Sequence, residues 1–325
     1  MERGIITVDA RHTVRGMRTS MQGNVIRALV ELITNSDDSY IRLEDEKNNN
    51  SSGVIMINYV KEGYKGLFAV RDYAEGMSID DVRTGFKIYG KATSGRKSGK
   101  RVRGYFGQGA KDALGSMING RICTFKNDQF VECRLFIEED KPWYEIEDPI
   151  VSSSKLRKEH KIDGNGTIAY FEADRQITGT VPRLKTVQAE LVYNFLLRKI
   201  MTNPKRKIYL EGKDAGKARR LRYVIPKGKE ILTDYFTISY SDYGEFPIHI
   251  SIWRADNELT QAGDDREGGL LIVDDEEIVL DISLFKFDNE PLASHFYGEV
   301  EIGRFRELLE KEEPVLKEDR DGLIP

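Results

Sequence analysis

The chain has 325 residues, 39% of them apolar and 32% charged, enough for two domains with separate cores. Basic and acidic residues nearly cancel at a net charge of -4, which excludes a global polyanion-binding charge but leaves room for local basic patches. Two cysteines, Cys123 and Cys133, exclude a disulfide framework and make a reducing cytoplasm the expected compartment; the four scattered histidines have no zinc-site spacing. No apolar run reaches the roughly 20 residues of a membrane span, and the charged N-terminus does not read as a signal peptide.

In chain order, residues 4–9 are expected to form a short strand and residues 20–45 to hold a helix. In that helix Leu29, Val30, Leu32 and Ile33 make an apolar side. Glu31, Asn35 and Asp38, spaced by four and three, share another face. His12, in Asp-Ala-Arg-His-Thr, stands in a poor helix sequence. Residues 54–59 and 66–71 read as two strands with Gly63 at the turn. The second strand runs into Arg-Asp-Tyr-Ala-Glu-Gly-Met, residues 71–77. A carboxylate at a strand end, here Asp72, can accept a hydrogen bond from an exocyclic amine, and a nearby glycine, Gly76, lets backbone approach a flat ring. An ordinary turn has the same composition.

Residues 78–86 read as a helix capped by Ser78, with Asp80 and Asp81 in its first turn. The stretch 87–103 is rich in Lys, Arg, Gly and Ser and reads as a basic loop. Gly90 and Gly95 have the separation of a Walker phosphate loop, but Arg96-Lys97 stands where Lys then Ser/Thr is needed. Its position between two candidate phosphate motifs favours a nucleotide lid. Gly104, Gly107 and Gly109 follow, just before an expected helix over 110–117. Glycines let backbone N–H groups converge, and a helix N-terminus adds partial positive charge.

Three stretches together resemble one family. Glu31…Asn35…Asp38, then Asp72-Tyr-Ala-Glu-Gly76, then Gly104-Tyr-Phe-Gly107-Gln-Gly109 look like the N-box, G1 and G2 motifs of the GHKL ATPases. That superfamily includes DNA gyrase B, the large heat-shock chaperones, sensor histidine kinases and MutL. The order and spacing match. Glu-Leu-Ile-Thr-Asn-Ser-Asp-Asp is closest to the chaperone branch, and Gly-Tyr-Phe-Gly-Gln-Gly is similar to the chaperone and MORC branches. Ala74 departs from the glycine of many members.

The resemblance implies an α+β fold. A Bergerat-type α/β sandwich, a mixed β-sheet covered by helices, would span about residues 1–212. A smaller ribosomal-S5-like transducer domain would span about 213–325. ATP and Mg2+ are the implied ligands. Asp72 would bind the adenine amine, with Gly76 and Met77 beside it and Thr167 next to the aspartate. Asn35 would coordinate Mg2+, and Asp38 would support the adenine end or the helix packing. The stretch 104–109, with Tyr105, Phe106 and Gln108 between its glycines, would cradle the phosphates, joined by Lys91, and by Lys87, at the lid. Glu31 would orient and deprotonate the attacking water. Glu31, together with the poor helix around His12, favours hydrolysis over phosphotransfer to histidine.

Downstream, strands are expected at 118–125, 129–137, 144–146 and 167–171, one helix over 182–201, and a closing strand at 208–210. The basic stretch 213–230 reads as a solvated linker or a polyanion-facing patch, and its thin aromatic interleaving, Tyr223 alone, favours the linker. Strands at 236–240, 248–254, 269–273, 278–281 and 298–302 and a helix at 304–311 follow. Gly269-Leu-Leu-Ile-Val-Asp-Asp-Glu-Glu-Ile-Val resembles the transducer hairpin. In that resemblance a cation reaches the γ-phosphate from the segment 315–323, with Arg320 the candidate and Lys317 the runner-up. The chain is expected to continue past Pro325. The implied activity is ATP hydrolysis that drives lid closure and N-terminal homodimerisation. It would be coupled to a DNA-linked process such as repair, silencing or defence, or else to chaperone-like action on protein clients. DNA or client would bind through the region beyond residue 325, with no membrane partner.

Overall fold

In the computed structural model, residues 9–47, 53–89, 108–213, 217–240, 243–261, 263–311, 315 and 323 are described. All but Asp9 of the expected strand at 4–9, and nearly all of the basic lid, lie outside them, and Asp9 itself caps a helix. Contacts divide the chain into two compact units, Met1–Gln188 with Pro204–Leu221, and Ala189–Asn203 with Arg222–Pro325. Residues 189–203 thus belong to the second unit, and the first resumes after them.

The first unit opens with two helices, α1 (Ala10–Met21) and α2 (Val25–Lys47). The helix at 10–21 corrects the reading of the His12 region. The Asp9 carboxylate caps it by accepting from the Arg11 N–H at 2.8 Å, and Val14, Met17 and Met21 bury one stripe at helical spacing. His12 therefore lies in a regular first turn, and the inference drawn from its poor helix is withdrawn. Next come β1 (Gly53–Glu62), β2 (Lys65–Asp72), α3 (Ile79–Lys87) and α4 (Gly109–Gly115). Strands β3 (Ile118–Lys126), β4 (Gln129–Glu138), β5 (Lys141–Ile146) and β6 (Ile150–Val151) precede α5 (Ser154–His160), β7 (Gly166–Asp174) and α6 (Arg175–Thr178). Helix α7 (Leu184–Tyr193) spans the division. The second unit takes α8 (Arg198–Thr202), and the first closes with β8 (Arg206–Gly212) and β9 (Arg219–Leu221).

Among the described residues these strands form a nine-stranded mixed sheet in the order β5-β4-β3-β7-β2-β1-β8-β9, with β6 pairing β4. The β1–β8 pair is parallel and the others are antiparallel. β9 lies inside the stretch expected to be linker, where Leu210 pairs with Arg219. Strand alternation puts Tyr59, Phe68 and Phe171 on one face, with ring centroids 4.4 and 4.9 Å apart. Cys123, Phe125 and Ile168 turn the other way, into a buried cluster with Phe130 and Ile162 that Leu156 of α5 joins. Helix α2 packs on β1, β2 and β7, with Leu29 and Ile33 fully buried.

The second unit holds β10 (Gly228–Ser239), β11 (Glu245–Ala255), β12 (Gly269–Asp274), β13 (Val279–Ser283), β14 (Phe296–Ile302) and α9 (Phe305–Glu310). Its sheet runs β10-β11-β14-β12-β13, with β12 and β14 parallel. Phe305 and Leu308 of α9 enter a core with Phe246, Ile272 and Leu280. The helix expected over 182–201 is interrupted. The Asn194 side chain accepts from the Leu196 N–H at 3.1 Å and starts a 3-10 turn at Phe195–Leu197. Phe195 then packs on Leu271, Val273 and Ile282 of the second sheet. A capping side chain and a distant apolar partner override the local helical period.

Candidate functional site

The site is built where β2 ends. Asp72 is its last residue, and register places it beside Thr167 on β7, which in turn lies beside Thr124 on β3. These three polar side chains form a row on one face of an otherwise apolar sheet. Asp72 is 4% exposed. Its carboxyl accepts from the Ala74 N–H at 3.0 Å and is also held by the Thr167 backbone N–H. The Ser36 hydroxyl of α2 reaches it as well, so the row faces α2. Burial pushes the Asp72 carboxyl up to about 7, and the two backbone N–H groups, Arg42 and Ser36 only partly oppose it.

The chain after Asp72 folds back over the strand ends. Gly76 has φ +66, and a Cβ there would stand 2.0 Å from the Phe125 carbonyl oxygen. Gly166, at φ +155, approaches the Asp72 carbonyl closely enough that a Cβ would lie 2.5 Å away. Both glycines are required by left-handed backbone and close approach. Ala74 is buried with no positive φ, so this position needs no glycine. The Met77 N–H donates to the Thr124 hydroxyl at 2.8 Å, and Thr124 shares a 3.2 Å bond with Thr167.

Helix α2 clamps the same turn. The Tyr40 hydroxyl donates to the Val54 carbonyl at 2.7 Å and accepts from the Tyr73 N–H at 2.9 Å. Burial and the nearby Asp72 push the Tyr40 phenol well above its usual range. Arg42 pairs with Glu75 inside the turn. Two further α2 carboxylates hold the helix to the sheet. Arg206, at the start of β8 and 1% exposed, donates to Asp37 at 2.5 Å and Glu44 at 2.6 Å.

Of the predicted residues on α2, Glu31 is half-buried, Asn35 is exposed and Asp38 is buried. The Asn35 amide donates to the Glu31 carbonyl at 2.7 Å. A carbonyl can only accept, so this bond uses the amide N–H of an exposed side chain and leaves its carbonyl oxygen as the group suited to a hard oxygen-seeking cation. Among the described residues there is no group of three or more His, Cys, Asp or Glu able to hold a metal.

Gln108 and Gly109 stand at the start of α4, which packs against α2. Lys111 of α4 is buried. Its ammonium donates to the Ile88 carbonyl at 2.7 Å, and burial lowers it to about 8 against the opposing effect of Asp112. Tyr89 donates to Asp112 at 2.8 Å. α4 thereby holds residues 88 and 89, at the near end of the basic stretch. Lys87 is exposed at the end of α3. Lys91, Gly104, Tyr105, Phe106, Gly107, Lys317 and Arg320 lie outside the described residues.

The structure thus brings Asp72, Gly76, Met77 and Thr167 into one hydrogen-bonded corner. Sequence reasoning missed Thr124, Gly166, Ser36, Tyr40, Arg42 and Asp37. Only cross-strand register reveals Thr124; Asp37 and Tyr40 could have been singled out as polar groups on the apolar side of the α2 pattern. No protein-family model matches the chain, and no curated protein matches it.

Proposed function

We propose that the chain binds ATP with Mg2+ at this corner and hydrolyses it, on a Bergerat-type sandwich followed by an S5-like transducer domain. The observation that carries the reading is Asp72. It is a buried carboxylate at a strand end that forms no ion pair among the described residues, beside two close approaches, at Gly76 and Gly166, that a side chain would block. Such a group is costly unless a ligand donor completes it, and the exocyclic amine of adenine is such a donor. Thr167 and Thr124 order the floor beneath the ring. Gly76 and Met77 supply the backbone against its edge.

Asn35 would present its carbonyl oxygen to Mg2+, which supplies charge neutralisation for the phosphates when bound. Glu31, one helical turn earlier, would orient and deprotonate the water. The 104–109 stretch, with Lys91, would surround the phosphates. By the same resemblance Arg320, or Lys317, would stabilise charge on the γ-phosphate. Closure would drive N-terminal homodimerisation and couple turnover to a DNA-linked process.

Calorimetric titration with a non-hydrolysable ATP analogue and Mg2+ tests the pocket. Wild type is expected to bind and Asp72→Asn to lose binding, whereas equal binding by both would refute the adenine assignment. Glu31→Ala is expected to keep binding and lose hydrolysis. A second reading, a chaperone-like ATPase acting on protein clients, has one observation in its favour. The edge strand β10 exposes Ile231, Leu232, Tyr235, Phe236 and Ile238. ATP-dependent suppression of client aggregation would support it over the DNA-linked reading.

A further inference from the structure

Helix α1 carries a feature that the nucleotide site does not use. Arg11, Arg15 and Arg18 are exposed, spaced by four and three, and line one groove of about 530 Å³. Their helix is anchored by the neighbouring stripe of Val14, Met17 and Met21, so the guanidinium groups project from a fixed base. Among the described residues none of the three forms an ion pair. The groove is completed by Thr19 and Gln22, which add neutral hydrogen-bond donors, and by one carboxylate, Asp140 at the β4–β5 turn.

We propose that this groove binds the phosphate backbone of duplex DNA. Three arginines on one helix face, with a single carboxylate at the groove, make a locally cationic site in a chain of net charge -4, and such a site favours an anionic partner. At 1.5 Å rise per residue the trio spans about 10 Å, matched by three to four successive phosphates at about 3.4 Å of axis per strand. Arginine, threonine and glutamine are the side chains that contact phosphates in duplexes. Among the described residues no aromatic side chain lines the groove, which disfavours stacking of single-stranded bases there. Among the described residues its one apolar side chain, Val14, is buried, which leaves no exposed apolar anchor in that lining for a protein partner or a membrane surface. Contacts limited to phosphate make the binding independent of sequence.

The inference deepens the DNA-linked reading above, and its test is run without nucleotide so that failure of the ATP pocket leaves it untouched. Anisotropy of a labelled 30-bp duplex is titrated with the full chain from 50 to 200 mM salt. Three phosphate contacts weaken affinity roughly 40-fold over that range. Arg11→Gln, Arg15→Gln and Arg18→Gln are each expected to lower the salt slope by about 0.9, and Arg15→Lys to restore it. Asp140→Asn removes the one repelling carboxylate and is expected to tighten binding several-fold, a gain that misfolding cannot produce. Unchanged affinity and slope in the triple Gln variant, no effect of Asp140→Asn, or tighter binding of a poly-glutamate peptide than of the duplex would overturn the proposal.

Discussion

The Asp72 carboxyl sets stability and binding against each other, and Asp72→Asn separates them. Burial raises this group from 3.8 to about 7. The folded state therefore holds its proton more tightly than the unfolded chain does, and stability falls as pH rises between those two values. Above pH 7 the full penalty is present. At about 1.36 kcal/mol per unit, it is roughly 4 kcal/mol at pH 8 and roughly 1.6 kcal/mol at pH 5. Asparagine removes the penalty, less about 1 kcal/mol for the weaker bonds it accepts from Ala74 and Thr167. The net gain is about 3 kcal/mol at pH 8 and under about 1 kcal/mol at pH 5. For a unit of about two hundred residues, 3 kcal/mol raises Tm by roughly 6–12 °C. The assay is thermal melting of wild type and Asp72→Asn at both pH values, followed through the first unit. A variant that is destabilised, or equally stabilised at both pH values, would refute the claim that Asp72 is a desolvated carboxylate awaiting a donor.

Nucleotide affinity should carry the opposite pH dependence. An amine donor needs the ionised carboxylate, so the analogue's Kd is expected to worsen up to tenfold per pH unit below about 7 and to be flat above it, read by calorimetry. Gly76→Ala forces a methyl to within 2.0 Å of the Phe125 carbonyl at φ +66, and a loss of about 2 kcal/mol or more is expected in denaturant unfolding. Arg206→Met removes the cation that pairs with buried Asp37, and the same assay should show a loss of about 3–5 kcal/mol. Tyr40→Phe strands the Tyr73 N–H beside Asp72. It should cost about 1–3 kcal/mol and weaken analogue binding while leaving Glu31-dependent turnover chemistry in place at saturation.

Much of the first unit could be read along the chain. The β1–β2 hairpin with Gly63 at its turn, the Ser78 cap of α3, and Asp72 at the end of a strand all follow from periods of two or 3.6 and from turn and cap chemistry. That chemistry acts within a few residues, so a linear reading captures it. The α1 helix was legible in principle, since Asp9 caps it and Val14, Met17 and Met21 keep helical spacing, but the polar run around His12 masked that pattern. The break at Asn194 was not legible, because Phe195 answers to Leu271 and Ile282 of another sheet.

The sequence by itself determined which residues stand out as candidates: a carboxylate at a strand end, a glycine at Gly76 where backbone turns left-handed, and Glu31 with Asn35 one turn apart on α2. Only the tertiary structure decided their setting. It aligned Thr124 with Thr167 and Asp72 through the pairing of β3, β7 and β2. It joined Asp37 to Arg206, 169 positions away. It removed water from Asp72, and with that moved a carboxyl into the neutral range. The physical reason is that solvation and cross-strand register depend on what surrounds a residue in space, and neighbours along the chain do not specify that.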